Sequence, residues 1–181
     1  MRSSHVIDEQ ATAQIDWKIG DIIAEADEYL QYRKFLGITT KGYYLVQDFF
    51  SDNNAKASNC YAITKVDDLM DFGTERSRDG VYIGYAYTGE KHYETNFIDG
   101  KEDGLSINWN NDGTKLIECY MKEGKFHGPW KFWYSDNGQL ASEGNYENDL
   151  KQGLWTEWEE DGQKTAEIWY ENDVEIRRVD F

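Results

Sequence analysis

The chain has 181 residues, with 35 acidic against 19 basic side chains and a formal charge of −16. That balance argues against sequence-independent nucleic-acid binding and against docking on an anionic lipid surface, since both need Lys and Arg to meet phosphate; it favours a basic partner. Aromatic residues make up 15% of the chain, too many for a disordered acidic polymer, and no run of about 18 apolar residues is present to insert in a membrane.

In chain order, residues 1–41 read as a flexible start followed by an amphipathic helix. Met1 to His5 lack the apolar stretch of a signal peptide, which points to the cytoplasm; a signal already removed would make the protein periplasmic. From Asp21 to Leu36 the apolar residues Ile22, Ile23, Ala26, Tyr29, Leu30 and Phe35 follow helical spacing, with Asp21 as a cap and Gly37 as a stop. Residues 42–79 read as a degenerate hairpin and an insert. Its first strand runs from Gly42 to Phe50, its turn from Ser51 to Asn54 and its second strand from Ala57 to Tyr61. One helical turn is expected at Asp67 to Met70, inside the insert.

Residues 80–181 carry four repeats and a capping strand at Val174 to Phe181. The opening glycines Gly80, Gly104, Gly128 and Gly153 are spaced 24, 24 and 25 residues apart. A second column reads Gly89, Gly113, Gly138 and Gly162, and a third reads Gly100, Gly124, Asp149 and Asp173. Tyr85, Trp109, Trp133 and Trp158 form an aromatic column, and Glu94, Glu118, Glu143 and Glu167 a carboxylate column. Each unit has two aromatic-rich runs joined by Asx-Gly turns such as Asp112-Gly113 and Asp161-Gly162, the sequence sign of a hairpin. Two turns in 24 residues leave roughly 6–8 residues per strand. The expected fold is mainly β: an elongated, single-layer antiparallel sheet of tandem hairpins after an N-terminal helix, with atypical ends capping the stack.

The pattern Tyr146-x-x-Asp149-x-x-x-Gly153-x-Trp155 resembles the MORN repeat, as do Phe97-x-x-Gly100-x-x-x-Gly104 and Met121-x-x-Gly124-x-x-x-Gly128-x-Trp130. The stretch from Gly128 to Tyr146 is similar to the bacterial variant of that repeat found in YwqK-type antitoxin and immunity proteins. The chain departs from the pattern at Ser106, where Trp is usual, and at Asp149 and Asp173, where Gly is usual; these departures are expected to weaken two turns. Membership implies a non-enzymatic protein that neutralises a cognate toxin by direct binding. A second reading is a MORN-type scaffold, and a third is a carbohydrate-active enzyme, which would need two carboxylates facing each other across a cleft.

The candidate partner-binding residues are Glu94, Glu118, Glu143, Glu167, Trp109, Trp130, Trp133, Trp155 and Trp158. The Glu column reads either as repeat architecture, neutralised by Lys91, Lys115 and Lys164, or as an acidic stripe facing a basic toxin. The aromatic column reads either as a packing ladder or as an interface. Trp130 and Trp133 are three apart, as are Trp155 and Trp158, so regular strands turn each pair to opposite faces. No catalytic residues, metal ligands or cofactor are expected. The three histidines, His5, His92 and His127, share no column, and no nucleophile, base and orienter occur together. Cys60 and Cys119 are expected to be free thiols, too far apart to bond.

Overall fold

The computed structural model describes residues 16–26, 30–72 and 77–181. Of the flexible start expected from residue 1, residues 1–15 lie outside them. The strands are β1 (Ile22–Ala26), β2 (Gln31–Ile38), β3 (Tyr44–Phe50), β4 (Tyr61–Ile63), β5 (Arg78–Tyr85), β6 (Lys91–Ile98), β7 (Lys101–Glu102), β8 (Gly104–Trp109), β9 (Lys115–Lys122), β10 (Lys125–Trp133), β11 (Leu140–Glu147), β12 (Leu150–Trp158), β13 (Lys164–Glu171) and β14 (Val174–Asp180). They form one open antiparallel sheet in which strands pair in chain order, with the short β7 beside β6. The chain divides into two compact units: Met1–Lys91 with Asn96–Lys101, and His92–Thr95 with Glu102–Phe181.

In the first unit the expected N-terminal helix is replaced by strands. Ile22 pairs with Lys34, Ala24 with Arg33, Glu25 with Tyr32 and Ala26 with Gln31. The apolar spacing of 22–35 suits a helix, but it is tertiary demand that decides. Arg33 is 1% exposed and gives a two-pronged bond to Asp48 on β3, from Nε at 2.7 Å and Nη2 at 3.1 Å. A helix would not hold Arg33 and Phe35 against Asp48 and Val46, their partners across the β2–β3 ladder. The Tyr61 hydroxyl donates to the same carboxylate at 2.6 Å, and Arg33 Nη1 donates to the carbonyls of Leu69 and Asp71. This network ties a 3-10 turn, Val66–Met70, onto a core of Ile23, Phe35, Ile38, Val46, Tyr61, Ile63 and Leu69.

The degenerate hairpin turns at Ser51 to Asn54, where Asn53 Oδ1 accepts the Ala55 N–H. Its second strand falls at Tyr61–Ile63 rather than at Ala57–Tyr61. The amides of Ala57 and Ser58 both donate to the Asp48 carbonyl, a kink that delays regular pairing.

In the second unit each hairpin is closed by the same local chemistry. Asp112, Asn137 and Asp161 each accept, through Oδ1, the N–H two residues on, at 2.8–2.9 Å. The turns between hairpins are tied to the preceding unit. The N–H of Gly124 donates to the Glu102 carbonyl, that of Asp149 to Phe126 and that of Asp173 to Lys151. Asp149 and Asp173 take positive φ, 72° and 66°, where glycine is usual. Each carboxylate accepts a further backbone N–H, from Phe126 at 2.8 Å and from Lys151 at 2.7 Å. The departure from Gly thus adds a bond across the repeat junction where weaker turns were expected.

Candidate functional site

Residues paired directly across strands share a face of the sheet. Glu94 pairs with Ile107, Ile107 with Glu118, Glu118 with Lys131, Lys131 with Glu143, Glu143 with Thr156, Thr156 with Glu167 and Glu167 with Val179. The four candidate glutamates therefore lie on one line across the strands, on one face, every second strand and about 10 Å apart. Their charge is largely matched locally. Lys115 Nζ is 2.6 Å from Glu118, Lys164 Nζ is 2.6 Å from Glu167, and Lys131 Nζ is 3.3 Å from Glu143. All three pairs are partly solvated, so each stabilises the fold by about 1 kcal/mol at most.

Beside this row runs a second one on the same face. Leu105 pairs with Tyr120, Pro129 with Asn145, and Leu154 with Trp169. Gly128 and Pro129 bulge opposite Tyr120, so the row is continuous from β8 to β13. Leu105, Tyr120 and Leu154 are 41%, 44% and 45% exposed. Pro129 and Asn145 are exposed too. A line of solvated apolar side chains beside a line of carboxylates is unusual for a sheet surface that serves only solubility.

The opposite face of the second unit covers itself. Trp130, Tyr146, Trp155 and Tyr170 pack ring against ring, with centroids 5.0–6.3 Å apart, around Ala166 and Ile168. Trp155 is buried among these rings. Its ring rests on Gly144, where a Cβ would come within 2.2 Å of the indole. Lys151 Nζ sits over the same ring at 4.4 Å, and the indole N–H donates to the Asn145 carbonyl at 3.3 Å.

The structure thus divides the nine candidates. Glu94, Glu118, Glu143 and Glu167 share one face, and Trp109, Trp133 and Trp158 stand two positions after Ile107, Lys131 and Thr156, the residues on β8, β10 and β12 that pair with glutamates of the row. Each of these tryptophans comes straight after a bulge, at Asn108/Trp109, Phe132/Trp133 and Glu157/Trp158. Each is half-buried, and Lys115 Nζ lies 5.3 Å from the Trp133 ring. Trp130 and Trp155 belong to the self-covered face. Leu105, Tyr120, Pro129 and Leu154 do not repeat by residue type and so escaped the column reading. Two of them could have been found from period two alone: Tyr120 stands two residues after Glu118, and Leu105 two before Ile107, the residue opposite it.

Cys119 lies on the self-covered side, opposite Ser106 and Trp130. Burial pushes its thiol up to about 11. Cys60 is exposed, and both are free. Among the described residues no group of three or more His, Cys, Asp or Glu is placed to hold a metal ion, and no helix is long and apolar enough to cross a membrane.

Neither a family model nor a curated protein matches the chain. Among solved structures it is similar to "Crystal Structure of TarM", at 13% identity and a TM-score of 0.30. That similarity covers 59% of this chain and 20% of the other, so the chain spans about a fifth of the length of the protein it matches.

Proposed function

We propose that this chain is a non-enzymatic immunity or antitoxin protein that neutralises a cognate bacterial toxin by direct binding, and that its tandem hairpins are MORN-like units of the YwqK type. The observation that carries this reading is the contrast between the two faces of the second unit. One face packs its aromatics against one another, with Trp155 buried and Trp130, Tyr146 and Tyr170 half-buried; the other leaves Leu105, Tyr120, Pro129 and Leu154 in solvent beside a row of glutamates. Apolar side chains supply contact area, and a charge of −11 from residues 81–181 (21 acidic, 10 basic) steers a basic partner. The proposed compartment is the cytoplasm, with which two free thiols are consistent.

The direct test is co-purification with the product of the adjacent gene, followed by binding measurements on surface variants. Tyr120→Asp and Leu154→Asp each introduce a charge at a solvated position. They are expected to weaken binding at least tenfold, the loss of roughly one good interfacial contact, while leaving the melting temperature within a degree or two. Full affinity in both variants refutes the proposed face, and turnover of any substrate by the purified protein refutes the non-enzymatic reading.

A further inference from the structure

Between β10, β11 and β12 the glutamate face holds a depression of about 300 Å³. Its lining includes Pro129, Lys131, Glu143, Asn145, Leu154 and Thr156, with Trp130 reached beside Gly144. Gly144 lies at its base, and the β11–β12 register slips there, between Glu143 and Asn145. A side chain at 144 would point away from the depression, into the Trp155 ring on the other face, so the backbone of β11 itself forms the floor.

Resting on the partner-binding reading above, we propose that this depression is a socket for one arginine side chain of the toxin. Pro129 and Leu154 offer an apolar wall suited to the methylene stem of a long cationic side chain. The lining also includes three residues able to accept hydrogen bonds, Glu143, Asn145 and Thr156, together with Lys131, whose ammonium already contacts Glu143. Several acceptors at one site suit a planar guanidinium, with its five fixed donors, better than the point charge of an ammonium.

The local charges leave room for such a guest. Lys131 stands directly between Glu118 and Glu143, paired across the strands with both. Its contact with Glu143, 3.3 Å, is the longest of the three Lys–Glu pairs on this row. A guanidinium arriving on Glu143 sends the Lys131 ammonium toward Glu118, so no carboxylate is stripped of its cation and no ammonium is stranded. Glu167 lacks this arrangement. Its neighbours across the strands are Thr156 and Val179, and Lys164 holds it at 2.6 Å.

The test uses a small probe and needs no knowledge of the toxin. N-acetyl-arginine amide is titrated into the isotopically labelled chain, against N-acetyl-citrulline amide, which has nearly the same shape and no charge. The expected result is a saturable shift of the Gly144, Asn145 and Thr156 amides with the arginine compound alone. Glu143→Gln should weaken that binding about tenfold, and Lys131→Met should strengthen it several-fold by removing the competing cation. An equal response to both compounds, no saturable response, or weaker binding in Lys131→Met overturns the socket. The co-purified partner separates this proposal from the one beneath it. Binding lost in Tyr120→Asp but unchanged in Glu143→Gln removes the socket and leaves the face. Binding unchanged in Tyr120→Asp and Leu154→Asp removes the face itself.

Discussion

Single residues decide more of this structure than their conservative chemistry suggests. Gly144 is the clearest case, because the Trp155 indole occupies the space of its missing side chain. Gly144→Ala is expected to cost about 1–3 kcal/mol or more through overpacking. In a Trp155→Ala background the same change should cost far less, and a double-mutant cycle by urea denaturation reads the coupling. Asp48 is a second case. It answers both Arg33 and Tyr61 in a site closed to water, and Asp48→Ala leaves the guanidinium without its counter-charge. The expected loss is about 3–5 kcal/mol, checked by the same denaturation midpoint. The cysteines give a third. A thiol reagent at neutral pH should label Cys60 and spare Cys119 in the native protein. Because the folded Cys119 thiol titrates at about 11, above its unfolded value, its contribution to stability is whole below about pH 8.5 and is lost as pH rises toward 11. Cys119→Ser should flatten that alkaline loss.

At the scale of the hairpin, the repeat junction is held by a bond that glycine does not make. Asp149 and Asp173 accept backbone N–H groups from the preceding unit while in the left-handed region. Asp149→Ala keeps the backbone strain and loses the acceptor; Asp149→Gly loses the acceptor but relieves the strain. The alanine variant should therefore be less stable than the glycine variant by about 1 kcal/mol, as read from thermal or urea melts. The period, the turns and the strand-rich class could all be read from the Gly and Asx columns, because turn chemistry is local. The first strands could not. Ile22, Ile23, Ala26 and Phe35 fit a helical period equally well, and what excludes the helix is a long-range demand, the Arg33–Asp48 pair. The glutamate row was visible as a column, yet which other residues share its face depends on bulges at Gly128, Gly144 and the three tryptophans. Those bulges are set by packing, and column alignment does not reveal them.

For the whole molecule, the proposed binding divides between charge and contact. The 35 acidic residues against 19 basic ones create a field that acts before contact. Association with a basic partner should slow several-fold when salt rises from about 0.05 M to about 0.5 M, while dissociation should respond mainly to Tyr120 and Leu154. Stopped-flow or surface-based kinetics separate the two. Association that ignores salt would remove the steering argument without touching the apolar row.

The chain-order pairing of the strands has a consequence for inheritance. The short β7 aside, strands bond to their neighbours in the chain, and one hairpin is about 24 residues long. An in-frame duplication or excision of 72 nucleotides therefore rejoins two edges that already match, as expected when units contact only their neighbours. Each such event adds or removes one glutamate and one step of the apolar row, so the span of the proposed binding face can change by whole units while the turns and bulges within each unit stay as they are. A lineage of such proteins could follow a changing partner by counting hairpins as well as by substituting residues.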